Sequence, residues 1–173
     1  MSNLAEYLSS GQVWANILIA DNGATTLAGK SQPLRTAADH HRFHLIRGQA
    51  RALVIGGSTF RNEPYSKTKH ELYVSSQRLD EVDKSNLHIK AKDPIQLTKY
   101  ALHQSGAPVL IEGGPRFLSP LIALHLIDHF FISRVEKLGD GEFFSETLLQ
   151  EHYRCIDRES HDDTQLEIWQ PIN

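Results

Sequence analysis

The sequence predicts an α/β fold with a mixed, mainly parallel central sheet, flanking helices and an antiparallel C-terminal hairpin. Three observations carry that prediction. Short apolar runs alternate with longer amphipathic ones through the first two thirds of the chain. Two of the apolar runs, ALVIG (52–56) and VLI (109–111), end in paired glycines that lead into helical or turn-like segments. The last third changes to strand-like runs, two of them separated only by His161-Asp162-Asp163. A length of 173 residues with 40% hydrophobic and 23% charged residues suits one domain able to bury a core.

The elements follow in order. VWANILIA (13–20) is a strand, followed by the turn-rich DNGATTLAGKSQP, in which Gly23, Gly29 and Pro33 interrupt regular structure. A helix runs from Thr36 to about Gln49, with Thr36 and Asp39 as a capping pair and Ala38, His41, Leu45 and Gly48 at helical spacing. ALVIG (52–56) suits a central strand, and ELYVSS (71–76) and LHIKA (87–91) are further strands. DPIQLTKYALHQSG (93–106) is a helix with Pro94 just inside its start and Gly106 at its stop. VLI (109–111) is a buried strand, and PRFLSPLIALHLI (115–127) a helix perturbed by Pro120. DHFFISRV (128–135), HYRCIDRES (152–160) and TQLEIWQP (164–171) complete the sheet.

Composition excludes several functions. A formal net charge of -3 without a Lys/Arg run argues against broad nucleic-acid binding. No apolar run approaches the ~20 residues needed to cross a bilayer, and MSNLAEYLSS lacks the basic start and apolar middle of a signal peptide. Cys155 is the single cysteine, so no internal disulfide forms and a reducing, cytoplasmic setting is expected. It sits in a strand without an activating neighbour and reads as a packed thiol. His40 and His44 have the spacing of two metal ligands on one helix face, but HExxH, a neighbouring cysteine and a third ligand are missing. A solvated helix face is expected there, and no metal.

The two glycine turns carry the chemistry. In an open α/β sheet, ligands gather beyond the carboxyl ends of the strands. A helix start there offers unpaired amides to a phosphate, and glycine lets it approach the backbone. VLIEGGP and VIGGSTF share this layout, with Ser58 and Thr59 able to cap a short helix or bind an anion. Each turn alone is equally compatible with a tight connection; the pair suggests a two-sided cradle for a phosphate-rich cofactor. Glu112, directly after the strand, is read either as a helix cap or as a contact for a ligand's hydroxyls or amines. Neither GxGxxG nor GxxxxGK[ST] is present, which excludes the standard dinucleotide and nucleoside-triphosphate motifs.

VLIEGGPRFLSPLIALHLIDHFFISRVEKLGDG (109–141), IADNG (19–23), the run from Ser31 through Arg47 to Thr59, and RNEP (61–64) together match a known pattern. Over nearly its whole length the chain resembles the C-terminal reductase domain of the bifunctional riboflavin-pathway deaminase–reductase, whose fold is dihydrofolate-reductase-like. The resemblance implies an NADPH-dependent reductase of 5-amino-6-(5-phosphoribosylamino)uracil, with hydride delivered to the first sugar carbon in its open, imine-like form. It implies that Gly113, Gly114, Pro115, Arg116, Phe117, Leu118 and Ser119 line the NADPH pyrophosphate, that Thr59 and Asn62 contact the cofactor, and that Ser75 or Ser76 lies near the adenosine ribose. Ser31, Arg47 and Glu112 would meet the substrate, and Lys67 and Lys69 its phosphate, as point charges. No covalent nucleophile is implied and no catalytic acid or base is assigned. A homodimer through edge strands of the late antiparallel region is expected on the same ground.

The chain departs from the family in places. Asn22 replaces the usual aspartate before Gly23, Pro33 replaces a tryptophan, and YSKTKH lacks the family's arginine. No arginine follows the ribose-binding strand before Arg78, and the zinc deaminase motif is missing. Two alternatives therefore stand beside the riboflavin reading. One is a reductase of the same fold acting on another pyrimidine or pterin; the other is a catalytically degenerate paralogue that binds a nucleotide or a partner.

Overall fold

The computed structural model describes residues 4–172. In chain order the elements are α1 (Leu4–Tyr7), β1 (Val13–Ala20), β2 (Ala24–Thr26), α2 (Ala37–Gln49), β3 (Ala52–Gly56), α3 (Gly57–Asn62), β4 (Glu71–Ser75), β5 (Val82–Lys84) and β6 (Leu87–Lys90). They continue with α4 (Pro94–Ser105), β7 (Val109–Ile111), α5 (Pro115–Ala123), β8 (His129–Val135), β9 (Gly141–Phe143), α6 (Glu146–His152), β10 (Tyr153–His161) and β11 (Thr164–Pro171). Nine strands form one sheet in the order β10-β11-β8-β1-β7-β3-β4-β6-β5, and β2 pairs with β9 in a separate ribbon. From β8 to β6 every pairing is parallel; β10, β11 and β5 run antiparallel at the edges. The mainly parallel sheet with an antiparallel C-terminal hairpin is therefore as the sequence predicts.

Strand alternation sorts the core onto two faces. Val13, Ala15, Ala52, Val54, Val109 and Ile111 point to one face, where Leu97, Leu118 and Leu121 of α4 and α5 cover them. Trp14, Leu53, Ile55, Leu110 and Phe131 point to the other, beneath Ile46 of α2. Because β3 and β7 are covered on both sides, they read as unbroken apolar runs rather than alternating ones.

The helix starts follow their caps. Thr36 Oγ1 accepts from the Asp39 amide at 3.2 Å and Asp93 Oδ1 from the Gln96 amide at 2.8 Å. Gly106, at φ 76°, ends α4. The helix predicted over 115–127 stops at Ala123 instead. Leu126 N donates to Leu121 O and His125 N to Ile122 O, with His125 left-handed at φ 53°. These two bonds make a Schellman stop in which a histidine takes the place usually held by glycine, so the sequence carried no glycine to mark it. Helix α6, the short α1 and the β2–β9 ribbon were absent from the sequence reading; α6 starts where Ser145 Oγ accepts from the Leu148 amide.

Helix α2 departs from expectation in its inner face. Asp39, Arg42 and Ile46 face the sheet, while His41, Leu45 and Gly48 are exposed. Arg42 can be buried because its guanidinium is satisfied, donating to Glu167 O at 3.0 Å and Ser133 Oγ at 3.1 Å. No helix among the described residues is long and apolar enough to cross a membrane.

Candidate active site

The carboxyl ends of β3 and β7 open into a cleft of about 330 Å³. Its walls are α2 on one side and the glycine turns that start α3 and α5 on the other. The β2–β9 ribbon lies over its mouth, contributing Thr25, Thr26 and Glu142. This is the end of a parallel sheet where ligands are held.

At its centre stands Glu112, the residue after β7. Its carboxylate is gripped side-on by Arg47, whose Nε donates to Oε1 at 3.0 Å and whose Nη2 donates to Oε2 at 2.6 Å. Tyr65 Oη donates to the same Oε2 at 2.7 Å. The guanidinium of Arg47 lies between two rings, 4.8 Å from the Phe43 centroid and 5.2 Å from that of Tyr65. Burial works against the charge of Arg47, but the carboxylate beside it outweighs burial and holds the guanidinium pKa above its ordinary value. Burial, then the neighbouring carboxylate charge, pushes the Tyr65 phenol well above its usual value, which keeps it a hydrogen donor. Of the two open readings for Glu112, the cap fails: the start of α5 has no side-chain cap, and the carboxylate turns into the cleft.

Both glycine turns meet the cleft, but their bareness has a cause within the protein. A Cβ on Gly113 would lie 2.7 Å from the Phe117 side chain, and one on Gly56 3.3 Å from the same ring. A Cβ on Gly57 would lie 3.0 Å from Ser76 Oγ. Phe117 thus packs under both turns and draws them together. Phe117 and Leu118 amides both donate to Gly114 O, leaving the amides of Gly114 and Arg116 as the donors at the start of α5.

The sequence-predicted residues divide into two groups. Ser31, Arg47, Thr59, Asn62, Glu112, Gly113 and Gly114 all line the one cleft, although they are dispersed over 84 positions, from 31 to 114. Lys67 and Lys69 are exposed and do not line it. Pro115, Phe117 and Leu118 are buried, the last two within the core, Arg116 is exposed, and none of the four lines the cleft. Ser75 Oγ donates to Lys92 O, and Ser76 Oγ accepts from the amides of Arg78 and Leu79, so both hydroxyls order the loop after β4. Cys155 is half-buried, its thiol donating to Asp157 O at 3.3 Å and raised in pKa by burial.

Sequence reasoning missed part of the α2 wall. Asp39 is buried, and its carboxylate faces the cleft near Arg42. Burial lowers the Arg42 pKa to about 10 against the pull of Asp39 and Glu167. Arg35 also lies over the Phe43 ring, 4.9 Å from its centroid, so one ring is in contact with two guanidinium groups. His40 and His44 bond through their Nε2 atoms at 3.2 Å, and burial lowers the pKa of His44. Among the described residues no group of three His, Cys, Asp or Glu side chains is arranged to hold a metal.

The ribbon is pinned across the mouth. Asn22 Nδ2 donates to Gly139 O at 2.8 Å while its Oδ1 accepts from Gly139 N at 3.2 Å. An amide fills both roles at once, which the ionised carboxylate of an aspartate could not. Asp140 accepts from the Ala28 amide at 3.0 Å, and Thr25 Oγ1 donates to Glu142 O at 2.6 Å.

No family model matches the chain. No curated protein matches it either. Solved structures do. A pyrimidine reductase-like protein from Corynebacterium diphtheriae superposes with a TM-score of 0.73 at 16% identity, over 94% of this chain and 92% of that one. The dihydrofolate reductase of Enterococcus faecalis, solved with NADP(H), gives 0.68 at 14% identity over 94% and 97%. The chain has the dihydrofolate-reductase fold. A diaminohydroxyphosphoribosylaminopyrimidine deaminase/5-amino-6-(5-phosphoribosylamino)uracil reductase from Thermotoga maritima gives 0.71 at 12% identity. That match covers 95% of this chain and 57% of the longer protein. Within the dihydrofolate-reductase fold seen here, the cleft lies at the carboxyl ends of the parallel strands, between α2 and the two glycine turns.

Proposed function

We propose that the protein is an NADPH-dependent reductase of a phosphoribosylamino-pyrimidine, with 5-amino-6-(5-phosphoribosylamino)uracil as the substrate. The observation that carries this reading is the meeting, in one cleft, of two glycine-led helix starts and the Arg47–Glu112–Tyr65 cluster. The residues present fit a dinucleotide. The Gly114 and Arg116 amides at α5 suit its pyrophosphate, and Thr59 and Asn62 on α3 face it across the gap. NADPH, when bound, supplies hydride.

The remaining tasks belong to the protein. Arg47 is held rigid by Glu112 and two rings, and its Nη1 group, which Glu112 does not engage, is the donor for substrate oxygen. Arg35, which also lies over Phe43 and lines the cleft, offers the guanidinium for the sugar phosphate that the segment after Pro64 lacks. Asp39 accepts from ring N–H groups at the inner end. Reduction of the imine in the opened sugar adds hydride at carbon and a proton at nitrogen. Fixed positioning of the two reactants supplies much of the rate, since no nucleophile takes part. The edge strand β10 is the one through which a homodimer would form.

The test is NADPH consumption with the riboflavin intermediate, followed at the nicotinamide absorbance. Oxidation of NADPH with that substrate supports the reading. Binding without oxidation moves the function to another pyrimidine or a pterin, and no binding leaves a non-enzymatic paralogue.

A further inference from the structure

His88 stands on the β4–β6–β5 edge of the sheet with a carboxylate at each ring nitrogen. The register sets Tyr73 of β4, His88 of β6 and Asp83 of β5 abreast, and Glu71 lies two residues back along β4 on the same face. Nε2 meets Glu71 Oε2 at 2.7 Å, and Nδ1 meets Asp83 Oδ1 at 2.5 Å. The ring is stacked on Tyr73, centroids 4.6 Å apart and planes 18° from parallel. The His88 side chain is 15% exposed, against 43% for Glu71 and 58% for Asp83, so the ring is enclosed while both carboxylates keep water. An ionised carboxylate accepts hydrogen bonds and donates none, so two such partners call for N–H at both ring nitrogens. That is the charged form of the ring. The Asp83 carboxyl agrees: it is held below its usual range first of all by the hydrogen bond to this ring.

We propose that His88 is a proton-loaded clamp on the sheet edge: as a cation it ties β5 to β4, and loss of one proton at alkaline pH releases β5. Strand β5 is outermost in the sheet, and its three residues pair with β6 alone. A neutral ring would turn a lone pair towards one of the two carboxylates, so that bond is replaced by repulsion. The other titratable or charged groups around the ring do not take over its role. Lys90 of β6 reaches Asp83 Oδ2 at 3.4 Å, a longer contact than the ring makes. Arg51, ahead of β3, borders the same hollow and donates through Nε to Ala107 O. The Tyr73 phenol, edge-on to Tyr100 of α4, is pushed above its usual value chiefly by burial and stays uncharged. The clamp also bears on the segment before β5, in which Arg78 stands. Ser76 Oγ holds that segment at its start through the amides of Arg78 and Leu79, and Glu81 Oε1 holds its end through the Ala91 amide at 3.1 Å. Release of β5 loosens that end. The sign is fixed by the chemistry: the edge is held while the ring carries both protons and is freed as pH rises.

Two measurements on the full-length protein test this. The first is ring-nitrogen NMR of the wild type, with His88→Gln identifying the His88 signals. Both His88 nitrogens should carry protons at about pH 7.5, where a free imidazole is mostly neutral. The second is hydrogen exchange, expressed as protection factors so that the intrinsic effect of pH on exchange is removed. Protection of the Val82–Lys84 and Leu87–Lys90 amides should fall roughly tenfold between about pH 6.5 and pH 9.5, the size of one charge-assisted hydrogen bond. In His88→Gln it should not change with pH. A neutral His88 ring at the pH of the NMR measurement overturns the inference. So does wild-type protection that is equal at the two pH values, or that falls equally in His88→Gln. Neither readout uses NADPH, so a failure of the cofactor reading leaves this result standing.

Discussion

Arg47 and Glu112, separated by 65 positions in sequence, meet side-on through two hydrogen bonds of 3.0 and 2.6 Å at the carboxyl end of the sheet. The pair joins the last turn of α2 to the end of β7, and Tyr65 locks it from a third segment. Neither charge is free to leave, because each is partly or wholly removed from water and has the other as its chief partner.

Replacing Glu112 with alanine should cost about 3 kcal/mol in stability, because it strands a guanidinium that is only 21% exposed. Arg47→Lys keeps the charge but loses the two-pronged grip, with a smaller loss of about 1.5 kcal/mol. Urea denaturation of both variants checks the order. Equal losses would mean that the fork geometry contributes nothing.

Gly113→Ala should destabilise by about 1–3 kcal/mol, through overpacking against Phe117. Removing Cγ and Cδ1 in the double variant Gly113→Ala/Phe117→Ala should recover part of the loss relative to Phe117→Ala alone. Thermal melts of the four proteins in this cycle give the coupling.

His129 predicts a dependence on pH. Burial lowers its pKa below the ordinary 6.5, with Asp128 pulling the other way. Its Nδ1 accepts from Gln170 Nε2 at 3.1 Å, so Nε2–H is the donor to Ser10 Oγ at 3.0 Å, a neutral tautomer with both nitrogens used. The unfolded state takes up the proton first as pH falls. The contribution is therefore complete above about pH 6.5 and declines below it, down to the folded pKa. Denaturation midpoints at pH 8 and pH 5 should differ less in His129→Gln than in the wild type.

Arg78 is exposed just after β4, with its amide held by Ser76 Oγ at 3.2 Å. If the adenosine ribose lies at the end of that strand, Arg78→Ala should weaken NADPH binding by roughly tenfold and leave NADH unchanged. Parallel titrations with the two cofactors decide whether Arg78 reads the extra phosphate.

The fold was legible because its strongest signals are local. Buried strands such as 52–56 and 109–111 are continuous apolar runs, and Thr36, Asp93 and Gly106 mark helix ends by their own chemistry. What stayed hidden depends on distant partners. The inner face of α2 could not be read, because Arg42 is buried only by virtue of Glu167 O and Ser133 Oγ, more than 90 positions away. The β2–β9 ribbon joins segments 115 or more positions apart, and the end of α5 relies on a left-handed histidine. In the site, the resemblance brought Arg47 and Glu112 forward singly; that they hold each other is visible only in three dimensions. Arg35 has no motif to announce it, and Asp39 is marked by sequence only as a partner in the α2 cap. Lys67 and Lys69, chosen for their charge alone, stand outside the cleft.

The most direct test of the cofactor cradle is a fluorescence titration of NADPH against the wild type and Gly114→Val. A valine places branched carbons where Glu142 now reaches the start of α5, and the end of that flexible side chain can yield while a pyrophosphate cannot. Saturable binding to the wild type, weakened at least tenfold in a variant that melts like the wild type, is the predicted result (~1.4 kcal/mol). Equal NADPH affinity in the two proteins, or unchanged NADPH fluorescence with the wild type, would contradict it.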